Sequence, residues 1–163
     1  MTMQNLKFNN SFRRGQALVE FALVLPVLLV LTMLIIQYGI IFYTTIGLTN
    51  LSREGARYAA TLPASSDDDI VATQQANTIT RMEDVLPPSI KWSDLYISAT
   101  NNNFTFTYLD KDGAESDTPV ASGLVKVTIT YNMSNKLFLP STFLGAKIFS
   151  TNYTTSTTMM IES

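Results

Sequence analysis

The hydrophobic positions are concentrated in one long run near the start of the chain. After Glu20 no charged residue appears until Arg53, and residues 21–36 are almost entirely aliphatic. About 20 apolar residues are enough to cross the ~30 Å hydrocarbon core of a bilayer. The pattern predicts one helix from Gln16 to about Thr61, which would be roughly 69 Å long at ~1.5 Å per residue.

Only part of this helix can lie in lipid. Pro26 is its one candidate for a kink, because proline removes a backbone hydrogen bond. Amphipathic side chains suit the membrane interface, so Gln37, Tyr38 and Tyr43 indicate a membrane span of about 21–43. The second half then projects into water and offers a face on which a domain can dock. The residues of that face recur every three or four positions along the helix, and they are Ile46, Thr49, Leu51, Gly55, Tyr58 and Ala59.

A second, shorter helix is predicted after Pro63. Ser66 with Asp69 three residues later resembles a capping box, and acidic residues suit the first turn of a helix. The run of Asp67, Asp68 and Asp69 is therefore interpreted as capping and not as a metal site. The helix extends to about Leu86, where two prolines stop it. Its buried side is predicted to contain Val71, Ile79, Met82 and Leu86.

From Ile90 onward the period changes from helical to alternating, which is typical of strands. Thr-rich alternation favours a last strand over about 149–161. The turn signal Asp112-Gly113 separates strands, and its glycine comes too early for an EF-hand calcium loop. The inward positions predicted for the other three strands are Leu95, Ile97 and Ala99; Phe104, Phe106 and Tyr108; and Val125, Val127, Ile129 and Tyr131. The outward positions of the third are Lys126, Thr128 and Thr130.

These elements predict an α+β fold in which a small, largely antiparallel sheet lies against the helices. The apolar segment from Leu137 to Leu144, which includes Pro140 and Phe143, is predicted to be a loop or a short helix. Two interpretations of it stay open. It packs into the core, as apolar side chains usually do, or it forms an exposed surface for a partner.

Charge and composition narrow the function classes. Lys7, Arg13 and Arg14 place a charge of +3 on residues 1–15, so the remainder of a chain with net charge −2 carries −5. Basic flanks stay cytoplasmic, which orients the bulk of the chain outward. An acidic outer domain without a basic cluster disfavours nucleic acid as a partner. The chain has no histidine and no cysteine, and it lacks a phosphate-binding glycine loop. We therefore predict a protein that is not an enzyme and that needs neither metal nor cofactor.

Glu20 is the unusual residue at the start of the apolar run. An ionisable group costs about 2.5 to 3.5 kcal/mol at the bilayer centre and less near the interface. A cleavable secretory signal would end after 7 to 15 apolar residues at a small-residue site, whereas here hydrophobicity continues to Ile46. This length disfavours a cleavable secretory signal, and the residues alone leave an uncleaved single-pass anchor that carries a binding module as the alternative.

Two blocks of residues resemble a known family. Gly15 followed after four residues by Glu20 and Phe21 is similar to the processing site of type IV prepilins. The segment from Leu48 to Ala60, with the run Arg-Glu-Gly-Ala-Arg-Tyr-Ala at 53–59, resembles TadE-like proteins. Those are pseudopilin-like components of the tight adherence (Flp) pilus machinery. Together the blocks cover about residues 13–60.

The resemblance implies a pilin-like organisation and a set of partners. It implies a basic leader over 1–15, a pilin-type helix over 14–60 and an extracytoplasmic α+β domain over 61–163, held in the bacterial cytoplasmic membrane. Prepilin peptidase would cut between Gly15 and Gln16. Glu20, next to Phe21, would then pair with the N-terminal amine of an adjacent subunit. The implied function is a minor pilin or pseudopilin, with other pilin-like subunits and pilus assembly proteins as partners. One complication is that Gln16, as a new N-terminus, can cyclise and lose its amine.

The charged block near the end of the helix keeps two interpretations. Arg53 and Arg57 are like charges one helical turn apart, and Glu54 offsets their repulsion on a solvated face. Alternatively, Arg53, Glu54 and Arg57 contact a partner subunit, and Gly55 permits close helix approach there.

Overall fold

A long helix and a four-stranded antiparallel sheet define the architecture, and they confirm the predicted α+β layout. The computed structural model describes residues 11–98, 101–143 and 146–162. Predictions that concern residues 1–10, Ala99 and Leu144 lie outside these ranges. Helix α1, Ser11–Ala60, is 50 residues long. It begins before the predicted start at Gln16, so the backbone around Gly15 is helical. It also continues through Pro26 without interruption.

Helix α2 is Asp68–Asp84, and its N-cap lies one residue after the predicted cap, Ser66. Asp67 is the N-cap, and its carboxylate accepts a hydrogen bond from the Asp69 N–H at 3.0 Å. The capping box predicted at Ser66 was wrong, because a single aspartate satisfies the free N–H group and places its charge at the positive end of the helix. The helix ends slightly before the predicted Leu86. Its buried residues are Val71, Gln74, Thr78 and Met82, with Ile79 and Leu86 packed partly against them.

The strands are β1 Tyr96–Ser98, β2 Asn101–Asn102, β3 Phe104–Leu109, β4 Glu115–Ser116, β5 Leu124–Asn132, β6 Thr142–Phe143, β7 Ala146–Lys147 and β8 Asn152–Met160. The main sheet has the strand order β4-β3-β5-β8, and its strands pair antiparallel. Val127 in the central strand β5 lies opposite Phe106 on one side and Thr157 on the other. The inward positions predicted for 125–131 are buried, and so are Phe104 and Tyr108.

The first predicted strand does not join this sheet. Strand β1 is three residues long and pairs only with β2, in a small hairpin, while Leu95 packs into the core just before it. The fourth strand of the sheet is instead β4. It is brought back beside β3 by a turn at Gly113, which has a φ of 83°. Asp110 closes this turn by accepting the backbone N–H groups of Asp112 and Ala114 at 2.8 and 2.9 Å.

Both the sheet and α2 pack against the second half of α1. Strand β8 runs alongside it, and the hydroxyls of Ser52 and Thr157 are 2.8 Å apart. The Glu162 N–H donates to the Ala60 carbonyl at 3.0 Å, which ties the end of β8 to the end of α1. Helix α2 returns antiparallel to α1, since its start lies near the end of α1 and Pro87, just after α2, contacts α1 at Gly47. The core therefore lies between α1, α2 and the sheet.

The docking face of α1 differs in part from the prediction. Leu51 and Gly55 are buried as expected, but Ile46 is 60% exposed. The face contains polar residues whose hydroxyls bond locally, which is why the hydrophobic pattern misplaced it; Thr44, for example, donates to the Ile40 carbonyl at 2.9 Å. Its buried members are Gln37, Ile41, Thr44, Gly47, Leu48, Leu51, Ser52, Gly55, Ala56 and Ala60.

Candidate functional site

The predicted processing site lies on an open stretch of α1. A side-chain carbon added at Gly15 would meet no other atom within 4 Å. Gln16, Glu20 and Phe21 are exposed as well. Glycine lowers helix stability by about 1 kcal/mol relative to alanine, so the backbone at this point is easier to unwind than its neighbours. The predicted leader junction is thus accessible.

Gln16 and Glu20 are brought together by the helix. Residues four apart lie on the same face of a helix, and the Gln16 Nε2 donates to the Glu20 Oε1 at 3.1 Å. This contact supplies one neutral donor to the carboxylate. The backbone nitrogen of Gln16 lies one turn before Glu20, and in the uncleaved chain it is an uncharged amide.

The helix surface that follows is apolar and has no protein neighbour in the described part of the chain. Its most apolar stretch is not buried at all, and α1 is long and apolar enough to cross a membrane. The Thr32 hydroxyl donates to the Leu28 carbonyl at 2.9 Å, so it does not present an unpaired donor to lipid. Within residues 17–36 the exposed large apolar side chains are Leu18, Val19, Phe21, Leu23, Val24, Leu25, Val27, Leu28, Leu29, Val30, Leu31, Met33, Ile35 and Ile36. Further along α1, Tyr38, Phe42, Tyr43 and Ile46 are exposed as well.

The charged block of α1 forms an ion-pair cluster with α2. Arg57 binds Glu54 through two nitrogens, at 3.0 and 2.7 Å. Arg81 of α2 approaches the same glutamate at 3.9 Å and Asp84 at 3.6 Å. The hydrogen bond from Arg57 is the main cause that lowers the pKa of Glu54, and partial burial opposes it. The side chain of Arg57 remains 61% exposed. The cluster therefore fits a solvated face on which each charge has an opposite neighbour.

Gly55 faces away from the charged cluster. A side-chain carbon at this position would lie 2.6 Å from the Met82 Sδ. The close helix approach expected at Gly55 therefore occurs within the chain, between α1 and α2. Arg53 is exposed on the outer side. About 34 residues separate Glu20 from Glu54, roughly 50 Å along the helix, so the two groups of predicted site residues do not form one site.

Comparison with known families identifies the helix. Residues 15–57 match the TadE-like protein family. This segment is TadE-like. The match begins at Gly15 and ends at Arg57, so it contains every predicted site residue, and it indicates a component associated with the Tad pilus. It covers about a quarter of the chain. Comparisons with curated proteins and with solved structures found no match.

The apolar helix and the TadE-like segment together fit a single-pass membrane protein of a pilus system. The same segment contains a buried residue whose role sequence reasoning missed. Gln37, 1% exposed, accepts the backbone N–H groups of Phe138 and Leu139 at 2.9 and 3.1 Å through its Oε1. Beside it, the rings of Tyr38 and Phe149 meet edge to face, with centroids 5.3 Å apart. The sequence signal that could have indicated burial of Gln37 is its spacing: Gln37, Thr44 and Ser52 share one helix face, at intervals of seven and eight residues.

Proposed function

We propose that the chain is a minor pilin or pseudopilin-like subunit of a Tad pilus system, anchored by α1 with its N-terminus in the cytoplasm. The observation that carries this proposal is the unburied apolar helix, with Glu20 near its start, inside a TadE-like segment. Residues 17–36, of which Leu34 packs partly against the domain, would be about 30 Å long as a helix, which equals the thickness of the hydrocarbon core. We propose this span in place of the expected 21–43, because Gln37 and Ile41 are buried against the domain. The basic residues before them favour the cytoplasmic side.

Processing after Gly15 would change the chemistry around Glu20. A carboxylate in a low-dielectric setting is strongly penalised unless it is paired, and Gln16 gives Glu20 only a neutral donor. Cleavage would convert the Gln16 nitrogen into a cationic amine one helical turn away. In an assembly, that amine on one subunit would neutralise Glu20 of its neighbour.

The mass of the protein extracted from membranes tests the processing step. In a host with an active prepilin peptidase, we expect the N-terminus at Gln16. A Gly15→Leu variant should keep residues 1–15, and because the space around Gly15 is open, this change leaves the fold intact. A Gly39→Leu variant, at an equally open helix position, is the matched control and should be processed normally. An N-terminus at Met1 in the unmodified chain would instead favour an uncleaved anchor that carries a binding module.

The same spectrum tests the charge pairing at Gln16. Cyclisation joins the amine of Gln16 to its own side-chain carbonyl carbon and expels ammonia. It removes both the amine of Gln16 and the Gln16 side-chain nitrogen that donates to Glu20. A mature chain lighter by one ammonia would therefore contradict pairing through the amine, while leaving cleavage itself supported.

Variants at Glu20 test assembly directly. Two differently tagged copies can be co-isolated from membranes after crosslinking. We expect Glu20→Ala and Glu20→Gln to reduce co-isolation strongly and Glu20→Asp to retain most of it, since only aspartate keeps the negative charge. Equal recovery with Glu20→Gln and the unmodified chain would show that charge at this position has no role in assembly.

A further inference from the structure

One end of the domain meets α1 at the first fully buried residue among those described in the helix. Gln37 follows directly after Ile36 and is buried, although Phe42 and Ile46, further along α1 on another face, are exposed. Gln37 binds the backbone of the segment Leu137-Phe138-Leu139-Pro140 through the two hydrogen bonds described above. We call this segment the 137–140 loop. If residues 17–36 lie in lipid, the 137–140 loop lies at the level of the membrane surface.

The 137–140 loop presents an aromatic side chain outward. Leu137 and Leu139 pack partly against the core, whereas Phe138 is 74% exposed. Leu137 and Leu139 therefore support the core interpretation of this segment, while the exposed Phe138 is available for a partner surface. Among the described residues outside α1, Phe138 is the most exposed large apolar side chain. Aromatic rings are favoured at the boundary between lipid and water.

The charges of the domain are divided between its two ends. Segments 87–95, 132–143 and 146–152, which form the end near Gln37, contain three lysines and one aspartate, a net charge of +2. Segments 61–69 and 108–123 with Glu162, at the opposite end, contain eight carboxylates and one lysine, a net charge of −7. The basic end is therefore suited to the phosphates of anionic lipids, and the acidic end is not.

Local contacts hold two of these charges, Lys136 and Asp94, in place. The Lys136 Nζ donates to the Ser89 carbonyl and lies 5.3 Å from the centre of the Tyr131 ring. The Tyr131 hydroxyl donates to Asp94 at 3.2 Å. Burial is the main cause that lowers the pKa of Lys136, and Asp94 opposes it. Lys91 is exposed at the rim of the polar pocket that these residues line.

We propose that Phe138 inserts into the headgroup region of an anionic bilayer, so that the domain rests on the membrane through the 137–140 loop and the neighbouring lysines. This rests on α1 spanning the bilayer, as in the proposed function, but not on cleavage after Gly15. A second copy fits this surface poorly. Its own basic end would bring like charges together, and its acidic end lies about 23 residues further along α1, roughly 35 Å from the membrane.

Site-directed spin labelling of the full-length chain in vesicles tests this contact. The chain has no cysteine, so Phe138→Cys creates a single labelling site at an exposed position. Ile70→Cys, also exposed but on α2 near the acidic end, is the matched control for water. Leu28→Cys is the control for lipid. The accessibility of each label to oxygen, which concentrates in lipid, is compared with its accessibility to a water-soluble nickel chelate.

In vesicles that contain phosphatidylglycerol we expect the ratio of oxygen to nickel accessibility at position 138 to exceed that at position 70 several-fold and to lie below that at position 28. In pure phosphatidylcholine it should fall towards the value at position 70. Equal values at 138 and 70, with position 28 in lipid, would overturn this inference alone. Strong spin–spin broadening at 138 without preference for oxygen would assign the surface to a second copy and overturn it too. A water-exposed label at 28 would overturn the membrane span, and with it the proposed function.

Discussion

Replacing Gln37 by leucine is the sharpest test of how the domain is joined to α1. The Gln37 side chain is buried, and its oxygen accepts two backbone N–H groups from the 137–140 loop. Leucine has a similar volume but accepts no hydrogen bond. The substitution therefore leaves the N–H groups of Phe138 and Leu139 without an acceptor while keeping the packing nearly constant.

The expected cost follows from the groups left unpaired. Each buried donor without a partner costs about 1–3 kcal/mol. One gain offsets part of this loss, because the Gln37 Nε2 is itself buried without a hydrogen-bond partner among the described residues, and leucine removes it. With two donors lost and one relieved, we expect a net cost of about 1–3 kcal/mol, equivalent to a roughly 5- to 150-fold larger opening equilibrium of the loop.

Hydrogen–deuterium exchange of the full-length chain in micelles measures this opening. The amides of Phe138 and Leu139 should exchange faster in Gln37→Leu by that factor. Thr44→Val is the matched control, because the Thr44 hydroxyl is buried on the same face but donates only to the Ile40 carbonyl of its own helix. Unchanged exchange at 138 and 139 in Gln37→Leu, or an equal increase in Thr44→Val, would refute the proposed connection.

Two further predictions concern the contact between α1 and α2. Gly55→Leu should lower the free energy of unfolding by about 1–3 kcal/mol because it overpacks the site against Met82, whereas Gly39→Leu, which meets no atom within 4 Å, should have little effect on thermal unfolding followed by circular dichroism. Because Arg57 lowers the pKa of Glu54 in the folded chain, Glu54 stabilises the fold above its ordinary pKa of 4.5, and this contribution is lost as the pH falls through the folded value. Glu54→Gln should therefore make the acid-induced loss of stability shallower.

Each of these predictions has its own contradicting result. Equal melting temperatures for Gly55→Leu and the unmodified chain would mean that α2 shifts freely along α1. For the acid titration, Glu83→Gln on the exposed side of α2 is the control. If stability falls less steeply with decreasing pH in Glu83→Gln to the same extent as in Glu54→Gln, total charge, and not the Arg57 contact, sets the pH dependence.

Features that depend on local pattern or on length can be predicted from the amino-acid sequence alone. The charge-free run after Glu20 is long enough to cross a bilayer wherever the rest of the chain packs. The strict alternation over 125–131 puts Val127 and Ile129 on the buried side of a strand, because side chains on a strand alternate between its two faces. The TadE-like resemblance was also contained in consecutive residues, from Gly15 to Arg57.

Which elements contact each other depends on how distant parts of the chain pack, and local pattern does not predict it. Thr44 and Ser52 lie on the docking face although they are polar, since their hydroxyls bond to carbonyls of their own helix. Ile46 consequently points outward. Likewise β4, and not β1, completes the sheet, because the turn at Gly113 returns the chain beside β3, whereas β1 pairs with β2. The contact of Gln37 with the 137–140 loop joins residues about 100 positions apart, and no local pattern in the sequence records such a pairing.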